Sequence, residues 1–163
     1  MTTCFDDTGL DAARALLNGP VVGIGEAAMH VASLVGHSFA VITTLSRSVP
    51  VLEDNVFRYG FSSRCRAVLV CDIPVLALHD PQTGAVQKIT DLIVEAKDRG
   101  AESIVPGCAG MADFARDLEA QHGLPVVEDV GAAIGLAGRL ARLGASTSRS
   151  GVRARPSRAR LLR

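Results

Sequence analysis

The sequence contains no tryptophan, and aromatic residues make up only 4% of its 163 residues. Hydrophobic residues still reach 48%, most of them small or aliphatic, a balance typical of an α/β protein with closely packed strands and helices. No apolar run is long enough to span a membrane, and no basic segment followed by a hydrophobic stretch marks a secretory signal. We therefore expect a cytoplasmic protein with one sizeable core.

The four cysteines lack the Cys-x-x-Cys spacing of a zinc ribbon or a thioredoxin-type pair, so the sequence predicts reduced thiols and no metal site. Formal net charge is zero, but six arginines lie beyond Ser148, which leaves 11 basic against 17 acidic residues in the rest of the chain. A nucleic-acid binder would carry its positive charge on a folded surface. We expect a small-molecule substrate, no nucleic acid and no membrane partner; self-association into a homo-oligomer stays open.

Cys108 lies at the apex of a predicted tight turn from a strand to a helix, flanked by Gly107, Ala109 and Gly110. The apolar run 101–106 predicts a buried strand before the turn, and an amphipathic helix follows it. A helix N-terminus favours the thiolate, and small neighbours let a ligand approach N–H groups that could hold an oxyanion. The competing interpretation is a buried cysteine at the end of a core strand.

A second copy of this pattern makes a catalytic role the better interpretation. Segment 4–32 resembles segment 108–137, because each contains a cysteine, a turn, a helix, a Pro-Val-Val strand and an Ala-rich helix. Chance similarity between two βα units is the alternative. Two thiols on related lobes would face each other across a cleft if the lobes pack about a pseudo-two-fold axis. A thiolate on one face of a carbon acid can then remove a proton while a thiol on the other face returns one, without a cofactor.

Hydroxyl groups follow the predicted strand 39–42. Thr43 and Thr44 stand at its carboxyl end, where open α/β sheets bind ligands, and their hydroxyls suit a carboxylate or imide oxygen. Ser46 and Ser48 come next and could instead cap the following helix.

Two carboxylates, Asp6 and Asp7, follow Cys4. They could orient a substrate, or they could act as anions near a helix N-terminus. Thr8 with Asp11 resembles a capping box and predicts that the helix begins there. Farther along the chain, the pattern predicts strands at 21–24 and 67–70 and helices at 26–34, 83–99 and 128–143.

The repeat also divides the chain into predicted domains. Residues 1–37 would be the remnant of a first α/β lobe, 38–128 a second α/β lobe, 129–145 a C-terminal helix returning to the first lobe, and 146–163 a disordered Arg-rich tail. Only three residues precede Cys4, whereas several strands and helices precede Cys108. We therefore expect an incomplete first lobe, as in an N-terminally truncated fragment or a sequence whose start codon is placed too far downstream.

Up to about Gly144, the chain resembles the hydantoin racemases and allantoin racemase of the aspartate/glutamate racemase superfamily. The resemblance rests on Cys4-Phe5-Asp6-Asp7-Thr8-Gly9-Leu10, Val22-Gly23-Ile24-Gly25-Glu26-Ala27-Ala28-Met29-His30, Val41-Ile42-Thr43-Thr44-Leu45-Ser46-Arg47 and Gly107-Cys108-Ala109-Gly110-Met111. It implies an α/β fold of two pseudo-symmetric Rossmann-like lobes with parallel sheets, the first lobe incomplete in this chain, and a cofactor-independent mechanism with catalytic Cys4 and Cys108. It also implies that the substrate pocket is lined by Phe5, Asp6, Thr43, Thr44, Ala109 and Gly110.

Three functional hypotheses follow. The leading one is racemisation of a 5-substituted hydantoin or allantoin, by proton abstraction and return at ring C5. Another superfamily enzyme is the second, namely an amino-acid racemase, a decarboxylase or an isomerase. A decarboxylase or a cis-trans isomerase would use one cysteine or none as the acid, so two cysteines favour a racemase. A non-catalytic truncated fragment that keeps the motifs is the third. If the chain is restored at its N-terminus, we expect both thiols to lie near helix starts that lower their pKa.

Overall fold

Three apolar runs form a parallel sheet at the centre of the molecule. The computed structural model describes residues 4–154 and contains β1 (Phe39–Thr43), β2 (Cys65–Val70) and β3 (Ser103–Pro106), in the spatial order β2-β1-β3. The central strand β1 is buried along its whole length, because a parallel sheet is covered on both faces. A single parallel bridge from Val126 to Ile104 continues the sheet beyond β3. The predicted α/β fold with parallel strands is confirmed.

Within residues 4–154, six α-helices surround this sheet. They are α1 (Leu10–Leu16), α2 (Ile24–Val35), α3 (Val49–Arg58), α4 (Ala85–Asp98), α5 (Ala115–His122) and α6 (Asp129–Arg142). Successive side chains of β1 point to opposite faces, so Ala40 and Ile42 pack with residues of α4 and α5, while Phe39 and Val41 pack with residues of α2 and α3. Within the described residues, no helix has the length and hydrophobicity needed to cross a membrane.

The predicted strand at residues 21–24 is wrong. Helix α2 begins at Ile24, and only Gly23 makes a bridge of the strand type. The reason is a cap that comes from elsewhere in the chain, since the Asp7 carboxylate accepts the N–H groups of Gly25 and Glu26 at 3.3 and 2.8 Å. The sequence analysis predicted that this helix begins at Glu26. Because Asp7 caps the first N–H groups, the helix begins earlier, at Ile24.

The predicted capping box at Thr8 is also wrong. Helix α1 begins at Leu10 after Gly9, which has a φ of 80°, and no side chain of the described residues caps its N-terminus. The Thr8 N–H donates to Asp6 Oδ1 at 3.0 Å instead, so Thr8 belongs to the turn that precedes the helix.

Part of the tail expected to be disordered contacts α1. Thr147 Oγ1 donates to the Gly19 carbonyl at 2.7 Å. Arg149 donates to the carbonyls of Ala15 and Leu17 at the C-terminal end of α1, where carbonyls lack partners inside the helix. The structure therefore differs from the expectation at these residues, while 155–163 lie outside the described part of the chain. The domain boundaries stay a prediction.

Candidate active site

Cys108 lies where the sequence predicts, between the carboxyl end of β3 and the 3₁₀ helix Ala109–Phe114. The N–H of Gly107 donates to the Ile42 carbonyl at 2.7 Å, so the turn leaves directly from the sheet. A Cβ at Gly107 would lie 3.2 Å from that carbonyl oxygen, and a Cβ at Gly110 would lie 3.7 Å from the Cys108 sulfur. The two glycines thus let the turn pack tightly and keep space free beside the thiol.

Cys4 lies in a turn that is held by side chains from distant segments. The N–H of Asp7 closes the turn by donating to the Cys4 carbonyl at 3.0 Å. Asn55 Nδ2 donates to the Asp6 carbonyl at 2.7 Å, and the hydroxyl of Tyr59 donates to Asp7 Oδ2 at 2.8 Å. Helix α3 therefore fixes the backbone of this turn from one side.

The pKa of the Cys4 thiol is raised in this chain, the opposite of the direction expected for the restored chain. Although the residue as a whole is exposed, partial burial is the largest cause of the shift, followed by a hydrogen bond with the Asp6 side chain. Partial burial opposes ionisation of Asp6 too, but the Thr8 N–H and the Cys4 thiol hold the pKa of that carboxyl below its usual value. Helix α1 begins only at Leu10, so no helix start lies next to Cys4 to favour its thiolate.

A single cavity of about 320 Å³ joins the two cysteine turns and the carboxyl end of β1. All residues that the sequence analysis assigned to the site line it, namely Cys4, Cys108, Phe5, Asp6, Thr43, Thr44, Ala109 and Gly110. Cys108 is half-buried, and Cys4 is exposed. The structure brings these residues together, and their chemical roles stay predictions.

Six further residues line the cavity and were not assigned to the site from the sequence: Leu45, Arg47, Ser48, Leu52, Val75 and Gly107. Arg47 is exposed and comes shortly after the Thr43-Thr44 pair. Its position just beyond the carboxyl end of β1 is a signal from which it could have been assigned to the site. The hydroxyl of Thr43 is already used within the protein, because Thr43 Oγ1 donates to the Gly107 carbonyl at 3.4 Å.

The other two cysteines lie away from this cavity. Burial raises the pKa of Cys65 to about 11, and burial also raises the pKa of Cys71, whose side chain is inaccessible to solvent. Cys71 lies in one of the two hydrophobic cores, and Cys65 packs against the other. Among the residues that the structure describes, no group of His, Cys, Asp or Glu side chains could hold a metal ion.

Comparison with known proteins gives one consistent result. The family model for Asp/Glu/Hydantoin racemase matches residues 1–137. A hydantoin racemase from Rhizobium meliloti is 45% identical over 154 residues, which cover 94% of this chain and 64% of that protein. A hydantoin racemase from Paenarthrobacter aurescens is 38% identical over 155 residues, covering 94% and 66%. The solved structure of allantoin racemase from Klebsiella pneumoniae has a TM-score of 0.89 and 41% identity, covering 96% and 64%. The chain thus spans about two thirds of the length of these relatives.

Proposed function

The chain belongs to the Asp/Glu/hydantoin racemase family, and we propose that it racemises 5-substituted hydantoins, a class that includes allantoin, with Cys4 and Cys108 as the two proton-transfer groups. One observation carries this proposal: the turns that begin the two copies of the repeat contribute both cysteines to the wall of one cavity. Inversion of a carbon acid needs a base and an acid on opposite faces, and two thiols can supply both. A reducing compartment such as the cytoplasm would keep them free.

The mechanism is a proton abstraction followed by a proton return. A thiolate removes the C5 proton from one face of the ring, and the electron pair left at C5 delocalises onto the neighbouring carbonyl oxygen. The thiol on the other face then donates its proton to C5, which inverts the centre and exchanges the protonation states of the two sulfurs. Burial raises the pKa of Cys4 and favours its protonated form, which suits a proton donor in one direction of the reaction; the roles of the two sulfurs exchange in the other direction.

The cavity wall also offers groups that could stabilise the negative charge on the ring oxygen. The first N–H groups of a helix have no partners inside it, and Ala109 and Gly110, at the start of their 3₁₀ helix, line the cavity. Arg47 lines it too and has no hydrogen-bond or ion-pair partner within residues 4–154. A hydrogen-bond donor or a cation placed where charge develops lowers the barrier for proton abstraction.

Loss of the circular dichroism of an optically pure 5-substituted hydantoin tests the proposal, with a protein-free sample correcting for spontaneous racemisation. We expect the chain to racemise the compound and the double variant Cys4→Ser/Cys108→Ser to lose at least about 100-fold in rate. Cys65→Ser is the matched control. Cys65 lies away from the cavity and donates to the Ala67 carbonyl, and a serine can make the same bond. A folded chain that neither racemises hydantoins nor exchanges their C5 proton with deuterated water would refute the function.

A further inference from the structure

Asp7 follows the cavity residue Asp6 but does not line the cavity. It is buried, and among its partners within the described residues are three hydrogen-bond donors from two helices. Oδ1 accepts the Gly25 N–H at 3.3 Å, while Oδ2 accepts the Glu26 N–H at 2.8 Å and the Tyr59 hydroxyl at 2.8 Å. The carboxylate therefore links the Cys4 turn to the start of α2 and to the end of α3.

Two glycines let this turn sit directly on the start of α2. A Cβ at Gly23 would overlap the Asp7 carboxylate, and a Cβ at Gly25 would overlap the Phe5 carbonyl oxygen. Asp7 itself has a φ of 55°, a conformation that a residue other than glycine keeps only when its surroundings enforce it. The close contact between the Cys4 turn and α2 therefore depends on glycines in and before the helix and on the positive φ of Asp7 in the turn.

Tyr59, Glu26 and Arg58 are the titratable groups that lie near Asp7 on the helices packed against it. Tyr59 faces it from α3, and burial together with the Asp7 carboxylate raises the Tyr59 pKa far above its usual value, so the hydroxyl stays a donor. Glu26 faces it from α2 and is paired with Arg14 of α1. Arg58, next to Tyr59, pairs with the exposed Asp11.

We propose that Asp7 is a positioning residue for Cys4: by joining the Cys4 turn to the first N–H groups of α2 and to Tyr59, it holds the Cys4 thiol at the cavity wall. The catalytic consequence of this inference rests on the proposed racemase function. Cys108 needs no such device, because its turn continues a strand and is fixed by the Gly107 bond to Ile42. Loss of the Asp7 carboxylate should therefore change Cys4 and leave Cys108 as it is.

Asp7→Asn in the otherwise unchanged chain tests the inference. Asparagine keeps the size of the side chain and tolerates a positive φ, but it puts an NH2 group among three donors. The measurement is the rate at which iodoacetamide alkylates each cysteine between pH 6 and 10, read for each peptide by mass spectrometry. We expect the Cys4 profile to move to lower pH, with alkylation about 3- to 10-fold faster at neutral pH, because the partial burial that raises its pKa is relieved.

Glu128→Gln is the matched control. Glu128 caps α6 through the N–H groups of Val130 and Gly131, at 2.7 and 2.6 Å, and replacing it also converts a capping carboxylate into an amide. Neither thiol profile should move in this variant. An unchanged Cys4 profile in folded Asp7→Asn, an equal shift of Cys4 and Cys108, or the same shift in Glu128→Gln would overturn the inference.

Two further measurements complete the test. The first uses a second variant in case Asp7→Asn does not fold, and the second measures the effect of Asp7→Asn on catalysis. If Asp7→Asn is unfolded, Tyr59→Phe removes one of the three bonds and must move the Cys4 profile the same way by a smaller amount; no movement overturns the inference. With hydantoins in deuterated water, Asp7→Asn should slow C5 exchange of the enantiomer that Cys4 deprotonates and spare the other. Absence of exchange in the unaltered chain would refute the racemase function and leave the alkylation result to decide on Asp7.

Discussion

Helices α2 and α6 occupy equivalent places in the two copies of the repeat, yet their first N–H groups are capped from different parts of the chain. In α6 the cap is local, since Glu128 is the N-cap residue and accepts the N–H groups of Val130 and Gly131. This end of the second copy needs nothing from outside its own helix.

In α2 the residue at the N-cap is Gly23, which has no side chain to offer. The N–H groups of Gly25 and Glu26, which correspond to those capped in α6, are bound by Asp7 from the Cys4 turn. The first copy thus uses one carboxylate both to start a helix and to hold a cysteine. Similar sequences in a repeat can therefore deliver equivalent thiols by different means.

The helices that precede these two differ in the same way. Helix α5 ends at His122, and the next residue, Gly123, has a φ of 66° and forms a local C-terminal cap. Helix α1 ends without such a glycine, and its last carbonyls are bound by Arg149 from beyond α6. The first copy depends on distant residues at both of these places, whereas the second is closed by its own sequence.

Removing one thiol at a time should give the largest effect and separate the two copies. In Cys4→Ser and in Cys108→Ser, we expect racemisation to fall by about 100- to 10,000-fold, because one of the two proton-transfer groups is gone. Each variant should still exchange the C5 proton of one enantiomer in deuterated water, and the two variants should retain opposite enantiomers. Proton NMR of both enantiomers checks this. Full racemase activity in either variant would contradict the two-thiol mechanism.

Adding a methyl group at the start of each helix should expose the difference in stability. Gly25→Ala places a Cβ on the Phe5 carbonyl, a backbone atom that cannot move aside, and we expect it to lower the free energy of unfolding by about 2–3 kcal/mol. In Gly131→Ala the nearest atom is Glu128 Oε2 at 2.6 Å, the end of a flexible side chain. We expect that variant to stay within about 1 kcal/mol of the parent, helped by the better helix propensity of alanine.

Urea unfolding of the two variants measures both values. Equal losses would show that the start of α2 is no more tightly fitted than the start of α6.

The start of α6 should depend on pH in a way that the start of α2 does not. Burial, together with the adjacent Glu128, raises the pKa of Asp129 to about 7, and its Oδ2 has no hydrogen-bond partner within the described residues. The folded state then holds a proton that the unfolded state loses near pH 4, so this contribution to stability is complete below about pH 4 and is lost as pH rises through 7.

Asp129→Asn imitates the protonated form and should remove this dependence. At pH 8 its free energy of unfolding should exceed that of the parent by about 1–3 kcal/mol, with little difference at pH 4. Urea unfolding at both pH values measures it. Ile24, the counterpart in α2, has no ionisable group, so Ile24→Val is a control that should change stability equally at both pH values. A parent stability that rises between pH 4 and 8 relative to Asp129→Asn would contradict the assignment.

The smallest expected effect on stability concerns the C-terminal end of α1, which, unlike that of α5, is bound by a distant residue. Arg149→Ala removes bonds to exposed carbonyls and should cost about 0.5–1.5 kcal/mol, since water replaces part of what is lost. Arg153→Ala, in the same tail, is the control and should be neutral. Thermal unfolding detects both. No change in Arg149→Ala would mean that the tail contributes nothing to α1.

Local patterns predicted much of this molecule, and long-range contacts account for what they missed. Strand β1 was predictable because a short, fully apolar run suits a strand covered on both faces. The Cys108 turn was predictable because glycine, cysteine and a following helix are adjacent in sequence. The start of α2 was not, since its cap, Asp7, lies outside any local window. The raised pKa of Cys4 was missed because its largest cause is partial burial, which a local sequence pattern does not specify.

The site shows the same division. The repeat and the family motifs pointed to the cysteines, their neighbours and the threonine pair, and the structure places them on one cavity. Leu52 and Val75 were missed because nothing in their own segments marks them. They reach the cavity only through the way α3 and the loop after β2 pack, which no local pattern specifies.

The close packing of the Cys4 turn against the start of α2 also limits the order in which this sequence can change during evolution. Position 23 is blocked by the Asp7 side chain, so a larger residue becomes acceptable there only after Asp7 has been replaced by a smaller one. Position 25 is blocked by a backbone oxygen, and no side-chain change elsewhere opens it. We therefore expect positions 7 and 23 to vary together among descendants of this sequence, with the change at 7 first, while glycine persists at 25.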